Sequence, residues 1–257
     1  MHKNKLGLPL EYKKFPEYFD AHNIGEDTNA KNAVVEKLLK THNIKTVLDF
    51  TCGTGSQVFH LTKNGYKVTG ADFSPALLEI ARQKAIAAKF DIKFIAGDMR
   101  TLKVGTFDAV ITMFNAVGHL TKAGFAKAMK NIAENLKTGG IYIFDIFNVQ
   151  AMTDEAVRNL DMETNRSVDE TQIHNLQHSE IDRKTGQLTS YDNYTITKNG
   201  AKPKKISHKF SLQLYKAKEL KEMLAKNGFE TMDQYAMDGS PFHENETKSI
   251  LTVTRKK

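Results

Sequence analysis

A short apolar run, Val47 to Phe50, leads directly into Thr51-Cys52-Gly53-Thr54-Gly55, and a helical pattern begins at Ser56. Two glycines at a strand-to-helix turn let the backbone bend sharply and lie close to a ligand. The free N–H groups and positive dipole end of the helix behind them suit an anion. Asp72 follows 17 residues after Gly55, at the end of the next apolar run. A carboxylate there can accept hydrogen bonds from both hydroxyls of a ribose. A bare Gly-x-Gly also makes an ordinary tight turn. The order strand, loop, helix, strand, acid is more specific and describes the first half of a nucleoside-binding α/β domain. The dinucleotide fingerprint calls for a third glycine where Val58 stands. That argues against a pyrophosphate, and so against a nicotinamide dehydrogenase. It favours a nucleoside bearing a smaller anionic group such as a carboxylate.

Other residues are candidates on position alone. His119 lies just past the fourth apolar run, at the edge where open α/β sheets bind ligands, and could act as a base. It could equally cap the next helix. Asp145, near the end of the fifth run, could pair with a cationic amine or be a hydrogen-bonded strand carboxylate. Cys52 reads as a small residue tolerated in the turn. His174 and His178 are four apart, a spacing that would place both on one helix face as zinc ligands. Their segment reads as a strand with no converging ligand, so no metal is expected. Lys198, Lys202, Lys204, Lys205 and Lys209 read as a solvated basic turn, with an anion or RNA contact as the alternative.

These residues need elements to hold them. Asp27 and Thr28 offer N-caps to a helix with the stripe Ala30, Ala33, Val34 and Leu38. Strands are expected at 47–50, 67–71, 92–96, 107–114 and 141–147. Helices are expected at 56–64, from Ser74-Pro75 to Lys89, and at 121–136, the last closed by Gly139-Gly140. Strands alternating with amphipathic helices give an α/β, doubly wound, mostly parallel seven-stranded Rossmann-like sheet. After Asn148 a short helix at 153–160 precedes a Thr-, Ser- and Tyr-rich stretch without a helical stripe. Hairpin signals at 182–186 and 198–200 divide that stretch into three or four strands. The expected organisation is 1–148 as N-terminal segment and main sheet, 149–215 as an inserted antiparallel β subdomain, and 216–257 as a closing helix (217–226) with strands at 229–237 and 247–254.

Five motifs in this order resemble those of class I S-adenosylmethionine-dependent methyltransferases. Val47-Leu48-Asp49-Phe50-Thr51-Cys52-Gly53-Thr54-Gly55-Ser56 is similar to their first motif and Gly70-Ala71-Asp72-Phe73-Ser74 to their second. Gly97-Asp98-Met99-Arg100 is similar to the third, Phe107-Asp108-Ala109-Val110-Ile111 to the fourth strand, and Leu136-Lys137-Thr138-Gly139-Gly140 to the turn before the fifth. The third motif, with Met113-Phe114-Asn115-Ala116-Val117-Gly118-His119-Leu120, resembles small-molecule enzymes, especially aminosugar N-methyltransferases. Glycine N-methyltransferase is a more distant relative of similar plan. The resemblance implies S-adenosyl-L-methionine as cofactor, held by Tyr18, Asp49, Thr51, Gly53, Gly55, Asp72, Phe73, Asp98, Met99, Arg100 and Met113. In it Asp98 accepts from the adenine amino group, and the segment carrying Tyr12, Tyr18 and Phe19 folds over the donor, although ordinary helix packing would also explain those aromatics. The acceptor would meet Asn115, His119 and Asp145 beneath the insertion, with His119 as catalytic base.

Methyl transfer from a sulfonium is an in-line displacement, so the protein must mainly orient the reactants and exclude water. No catalytic triad is needed and none is visible. The chain has five prolines, none adjacent, and no Pro-Cys pair. The Pro-Pro loop of amino-methylating DNA enzymes and the nucleophile of cytosine-carbon enzymes are therefore missing. The balance of 37 basic against 30 acidic residues gives +7 over 257 residues, which permits acidic partners and requires none. An RNA methyltransferase and a non-catalytic S-adenosylmethionine-binding regulator are the other readings. A small-molecule substrate is expected, with no nucleic-acid or membrane partner. Exposed strand edges in the insertion leave a homodimer open. One cysteine and the lack of an apolar leader or span point to a cytoplasmic protein.

Overall fold

The computed structural model describes residues 6–257. The main sheet is built from β1 (Thr46–Asp49), β2 (Lys67–Asp72), β3 (Lys93–Ala96), β4 (Phe107–Thr112) and β5 (Leu136–Phe147). A second sheet holds β6 (Met162–Val168), β7 (Thr171–Asp182), β8 (Gln187–Lys198) and β9 (Lys204–Gln213), and β10 (Phe229–Tyr235) and β11 (Ser249–Lys256) return to the first. The helices are α1 (Phe19–Asn23), α2 (Thr28–Thr41), α3 (Ser56–Lys63), α4 (Pro75–Ala87), α5 (Lys122–Glu134), α6 (Asp154–Arg158) and α7 (Ala217–Lys226).

The seven strands run in the order β10-β11-β5-β4-β1-β2-β3. β1 pairs in parallel with both β2 and β4, whereas β11 is antiparallel to β5 and β10. Strand order reverses at the β1/β4 junction, so the chain leaving these strands opens a crevice at their C-terminal ends. The period-2 alternation of buried strands decides which helix layer each side chain meets. Leu48, Val110, Tyr142 and Phe144 pack with Phe125 and Ile132 of α5 and Leu220 of α7. Val47, Ala109, Ile111 and Ile143 face Val35 and Leu39 of α2, Leu61 of α3 and Leu78 of α4. The expected mostly parallel, doubly wound sheet is the one present.

The 149–215 stretch forms four antiparallel strands in the order β6-β7-β8-β9, preceded by α6, whose N-cap Thr153 accepts from Ala156 N. Its apolar side, Leu188, Leu212 and Leu214, packs on Val149, Met152 and Val157.

Several element ends shift by one or two residues, and the stretch before β5 differs in kind. Helix α5 ends at Glu134, and β5 starts at once with Leu136 paired to Phe107. Pairing resumes at Ala109↔Ile141, so Gly139-Gly140 sits within a bulge of β5 and does not close a helix. A Cβ on Gly140 would come 2.8 Å from Lys137 O, and Gly139 has φ +73°. The glycines are needed there to let β5 bulge outward.

At the N-terminal edge of the sheet, Asp108 ties β4 to β1. Its Oδ2 accepts from Thr46 N (2.8 Å), Lys45 N and Thr46 Oγ1, and its Oδ1 accepts from Lys137 Nζ at 2.7 Å. Partial desolvation would raise its pKa, but the hydrogen bonds from Lys137 and Thr46 outweigh that and hold it well below the usual carboxylate range. A depressed folded pKa gives stability that is present above the unfolded value near 4 and lost as pH falls through the folded value. We expect Asp108→Ala to cost about 2–3 kcal/mol at pH 7. In urea titrations the gap to the parent protein should begin to narrow below pH 4; a gap independent of pH would refute the ionic origin.

Candidate functional site

The crevice at the C-terminal ends of β1, β2 and β4 is a cavity of about 980 Å³, at the upper end of the range for ligand pockets. Its floor is the glycine loop. Gly53 (φ +52°) and Gly55 (φ +96°) are both left-handed, and Gly55 is the N-cap of α3. A Cβ on Gly53 would meet the Phe19 ring at 3.2 Å, and one on Gly55 would lie 2.6 Å from Phe59. Gly53 therefore lines the cavity, while Gly55 shapes the turn without lining it.

Asp72 fixes this loop. Its Oδ2 accepts from Gly53 N (3.0 Å) and its Oδ1 from Ser74 N (2.8 Å). Ser74 caps α4 by accepting from Leu77 N and donates to Tyr12 O at 2.5 Å. Burial raises the Asp72 pKa to about 6 against these hydrogen bonds. Asp49 accepts from Thr51 N at 3.0 Å, and desolvation pushes it to about 7. Asp98 behaves differently. Desolvation would raise it, but a forked contact from Arg100, with Nε at 2.9 and 3.0 Å, outweighs burial and lowers it. Asp49, Thr51, Asp72, Phe73, Asp98, Met99, Arg100 and Met113 all line the cavity, as expected from sequence.

His119 also lines it, between Tyr12 (5.5 Å, edge-on) and Phe210 of β9 (6.1 Å). Loss of hydration lowers its pKa to about 4, so near neutral pH the imidazole is uncharged. It is then too weak a base to take a proton from an alkylammonium.

Besides Gly55, three expected residues are not brought to the cavity, Tyr18, Asn115 and Asp145. Tyr18 faces a separate small cavity of about 30 Å³ with Phe15, Arg166 and Tyr194, because the short turn at 16–18 points it toward the second sheet. Asn115 and Asp145 are buried beneath the turn after β4. Asp145 Oδ2 accepts from Asn115 N (2.9 Å) and Ser249 Oγ (3.2 Å), and Asn115 Oδ1 accepts from Phe147 N (3.0 Å). Phe114 and Asn115 are both left-handed, with φ +59° and +56°. Backbone strain of this kind costs on the order of 1–3 kcal/mol per residue. His174 and His178 lie on β7 and pair with Glu163 and Asp161.

Several lining residues were not anticipated. Lys13 and Lys14 stand at the mouth, Lys13 over the Phe73 ring at 5.7 Å. His208 reaches the cavity from β9, where its Nε2 meets Leu8 O at 2.6 Å. The alternation of Ile206, His208, Phe210 and Leu212 is a period-2 signal that marks this face in retrospect. Residues 6–24 form a strap across the opening. Ser211 N donates to Leu6 O (2.6 Å), Thr54 Oγ1 donates to Asp20 Oδ1 (2.5 Å), and Lys84 pairs with the same carboxylate.

The strand order, with a glycine loop after β1 and a buried acid at the end of β2, is that of the fold found in S-adenosylmethionine-dependent methyltransferases, and a separate antiparallel sheet accompanies it. Residues 47–140 match the family described as methyltransferase domain. Among solved structures, an S-adenosylmethionine-dependent methyltransferase from Clostridium acetobutylicum superposes with a TM-score of 0.78 at 18% identity, covering 95% of this chain and 98% of the other. DesVI of Streptomyces venezuelae gives 0.74 at 20% identity, over 94% and 98%. In sequence, the dTDP-3-amino-3,4,6-trideoxy-alpha-D-glucopyranose N,N-dimethyltransferase of Streptomyces venezuelae is 32% identical over 125 residues, which is 47% of this chain and 51% of the relative. The chain thus matches about half the length of this curated relative.

The donor set fits a nucleoside with an amino-acid end. Thr51 Oγ1 and Gln57 Oε1 are buried at the glycine loop with no hydrogen-bond partner among the described residues, and both residues line the cavity. Such groups are costly to bury unless a ligand completes them.

The raised Asp49 has a signed consequence. The folded protein holds this proton more tightly than the unfolded chain. Stability therefore falls as pH rises from the unfolded value near 4 to about 7 and stays lower above it. Asp49→Asn keeps the oxygen that accepts from Thr51 N and removes the buried charge. Thermal unfolding of the ligand-free protein should show a higher Tm for this variant at pH 8 and little difference at pH 5. An equal shift at both values would show that ionisation is not the cause.

Proposed function

We propose that the protein methylates an amine nitrogen of a small, polar acceptor, an amino sugar being the favoured class, with S-adenosyl-L-methionine as donor. The observation that carries this reading is the large cavity described above: the glycine loop, Asp72 and Asp98 border one side of it, and the strap and β9 close the other. The aminosugar N,N-dimethyltransferase relative supports the acceptor class.

When bound, S-adenosylmethionine supplies a methyl group on a positively charged sulfur. Asp72 would accept from the ribose hydroxyls with the lone pairs that Gly53 N and Ser74 N leave over. Phe73 and Met99 offer apolar faces to the base, and Asp98, held by Arg100, offers a fixed acceptor at its edge. Thr51 Oγ1 and Gln57 Oε1 complete the polar end, where the Asp49 carboxylate offsets a cation. Tyr12, Phe19 and His119 keep the reaction centre apolar, which excludes water. The chain has little acid–base work to do: neutral His119 can accept a hydrogen bond from an amine N–H, and desolvation under the strap favours the uncharged amine that has the lone pair.

The test is transfer of labelled methyl from S-adenosylmethionine to a panel of nucleotide-linked amino sugars, free amino sugars, amino acids and tRNA. Transfer to an amino sugar supports the reading; transfer to tRNA alone overturns it. With a productive amine, kcat/KM at saturating donor should rise with pH up to the pKa of the amine itself, with no inflection from His119 between pH 5 and 8. Calorimetry should also show S-adenosylmethionine binding tighten from pH 6 to 8 with proton release, since a bound cation favours ionised Asp49, and Asp49→Asn should flatten this dependence. Affinity that weakens over that range would remove Asp49 from the donor site.

A further inference from the structure

The turn after β4 is the most constrained backbone at the cavity. Phe114 and Asn115 are left-handed in succession. A bulky aromatic gains nothing locally from that conformation, so its surroundings impose it. Asp145 Oδ2 takes the Asn115 backbone N–H at 2.9 Å, and the Asn115 side chain takes the Phe147 N–H at 3.0 Å. Gly118 completes the clamp, because a Cβ there would lie 2.7 Å from Asn115 Nδ2. Asn115 and Asp145 are buried to 7% and 3% exposure and do not line the cavity. The side chains they hold do line it: Phe114, 39% exposed, and His119 at the end of the same turn.

We propose that Asp145 and Asn115 are positioning residues that lock the 114–119 turn so that Phe114 and His119 face the methyl acceptor. The catalytic consequence rests on the methyl-transfer reading; the geometric one does not. What the turn needs from position 145 is a hydrogen-bond acceptor for Asn115 N and Ser249 Oγ. Asparagine can supply it and alanine cannot. A role through charge, such as pairing with a cationic amine, would treat both substitutions alike.

The experiment compares Asp145→Asn, Asp145→Ala and Asn115→Gly. Glycine at 115 relieves the left-handed strain while removing the side-chain clamp, so it keeps the test alive if Asp145→Ala fails to fold. In ligand-free protein with labelled histidine, the His119 ring resonances, set by Tyr12 and Phe210, should move in Asp145→Ala and Asn115→Gly and stay in place in Asp145→Asn. With the amine that the parent protein methylates best, kcat should fall about tenfold or more in the first two variants. It should stay within about threefold in Asp145→Asn, and affinity for S-adenosylhomocysteine should hardly change in any of the three. The proposal is overturned if Asp145→Asn is as impaired as Asp145→Ala, or if the folded alanine and glycine variants shift neither the resonances nor turnover. Should the parent methylate no amine at all, the methyl-transfer reading fails, and the His119 resonances still decide whether the pair holds the turn.

Discussion

The Asp72 carboxylate is the junction on which the site depends. One oxygen holds the glycine loop after β1 through Gly53 N, and the other holds the start of α4 through Ser74 N. Ser74 passes the constraint on, capping α4 and binding Tyr12 O. Tyr12 then packs on Phe19, Phe73 and His119. A single buried acid thus sets the relative positions of two strand ends, a helix and the strap. Burying it is unfavourable, as its raised pKa shows. Hydrogen bonds from two backbone N–H groups offset that penalty.

This region runs counter to the rest of the fold. Away from it, Asp108 is stabilised by Lys137 and Thr46, and at the cavity Asp98 alone among the lining acids is held low, by Arg100. Around the cavity, Asp49, Asp72 and Asp145 all have raised pKa values, His119 a lowered one, and two residues adopt strained backbone. Unfavourable features concentrated in one crevice are what a site shaped for a ligand displays, because the ligand supplies the missing partners.

Much of this was readable in the sequence. Gly53, Asp72 and Asp98 follow strands, and a residue at a strand end in an open α/β sheet goes to the ligand edge almost regardless of detail. Burial of alternate residues in β1, β4 and β5 was equally legible. What failed was anything decided beyond the strand end. Asn115 and Asp145 look like site residues by position, yet two left-handed residues turn the chain so that Asn115 points back to β5. Asn115 tolerates that conformation readily, but nothing signals it at Phe114, since Phe rarely adopts it. Tyr18 was misplaced because the strap takes its path from tertiary contacts with Ser211 and Ser74. Gly139-Gly140 looked like a helix stop and is a strand bulge, two uses of glycine that share one sequence signature.

The insertion leaves and rejoins the main sheet at one point. Asn148 bridges Tyr215, Val149 N donates to Tyr215 O, and Tyr215 N donates to Phe147 O. Because the two ends already touch, the main sheet is indifferent to how many residues lie between them. Chain-closure entropy changes only slowly with added length. The second sheet joins the main sheet through this two-residue neck, and the strap and His119 make its other contacts. Its inward face carries His208 and Phe210, and substitutions there leave the pairing of the main sheet untouched. On the methyl-transfer reading proposed above, changes confined to the chain beyond the neck would alter the acceptor and spare the crevice that takes the donor.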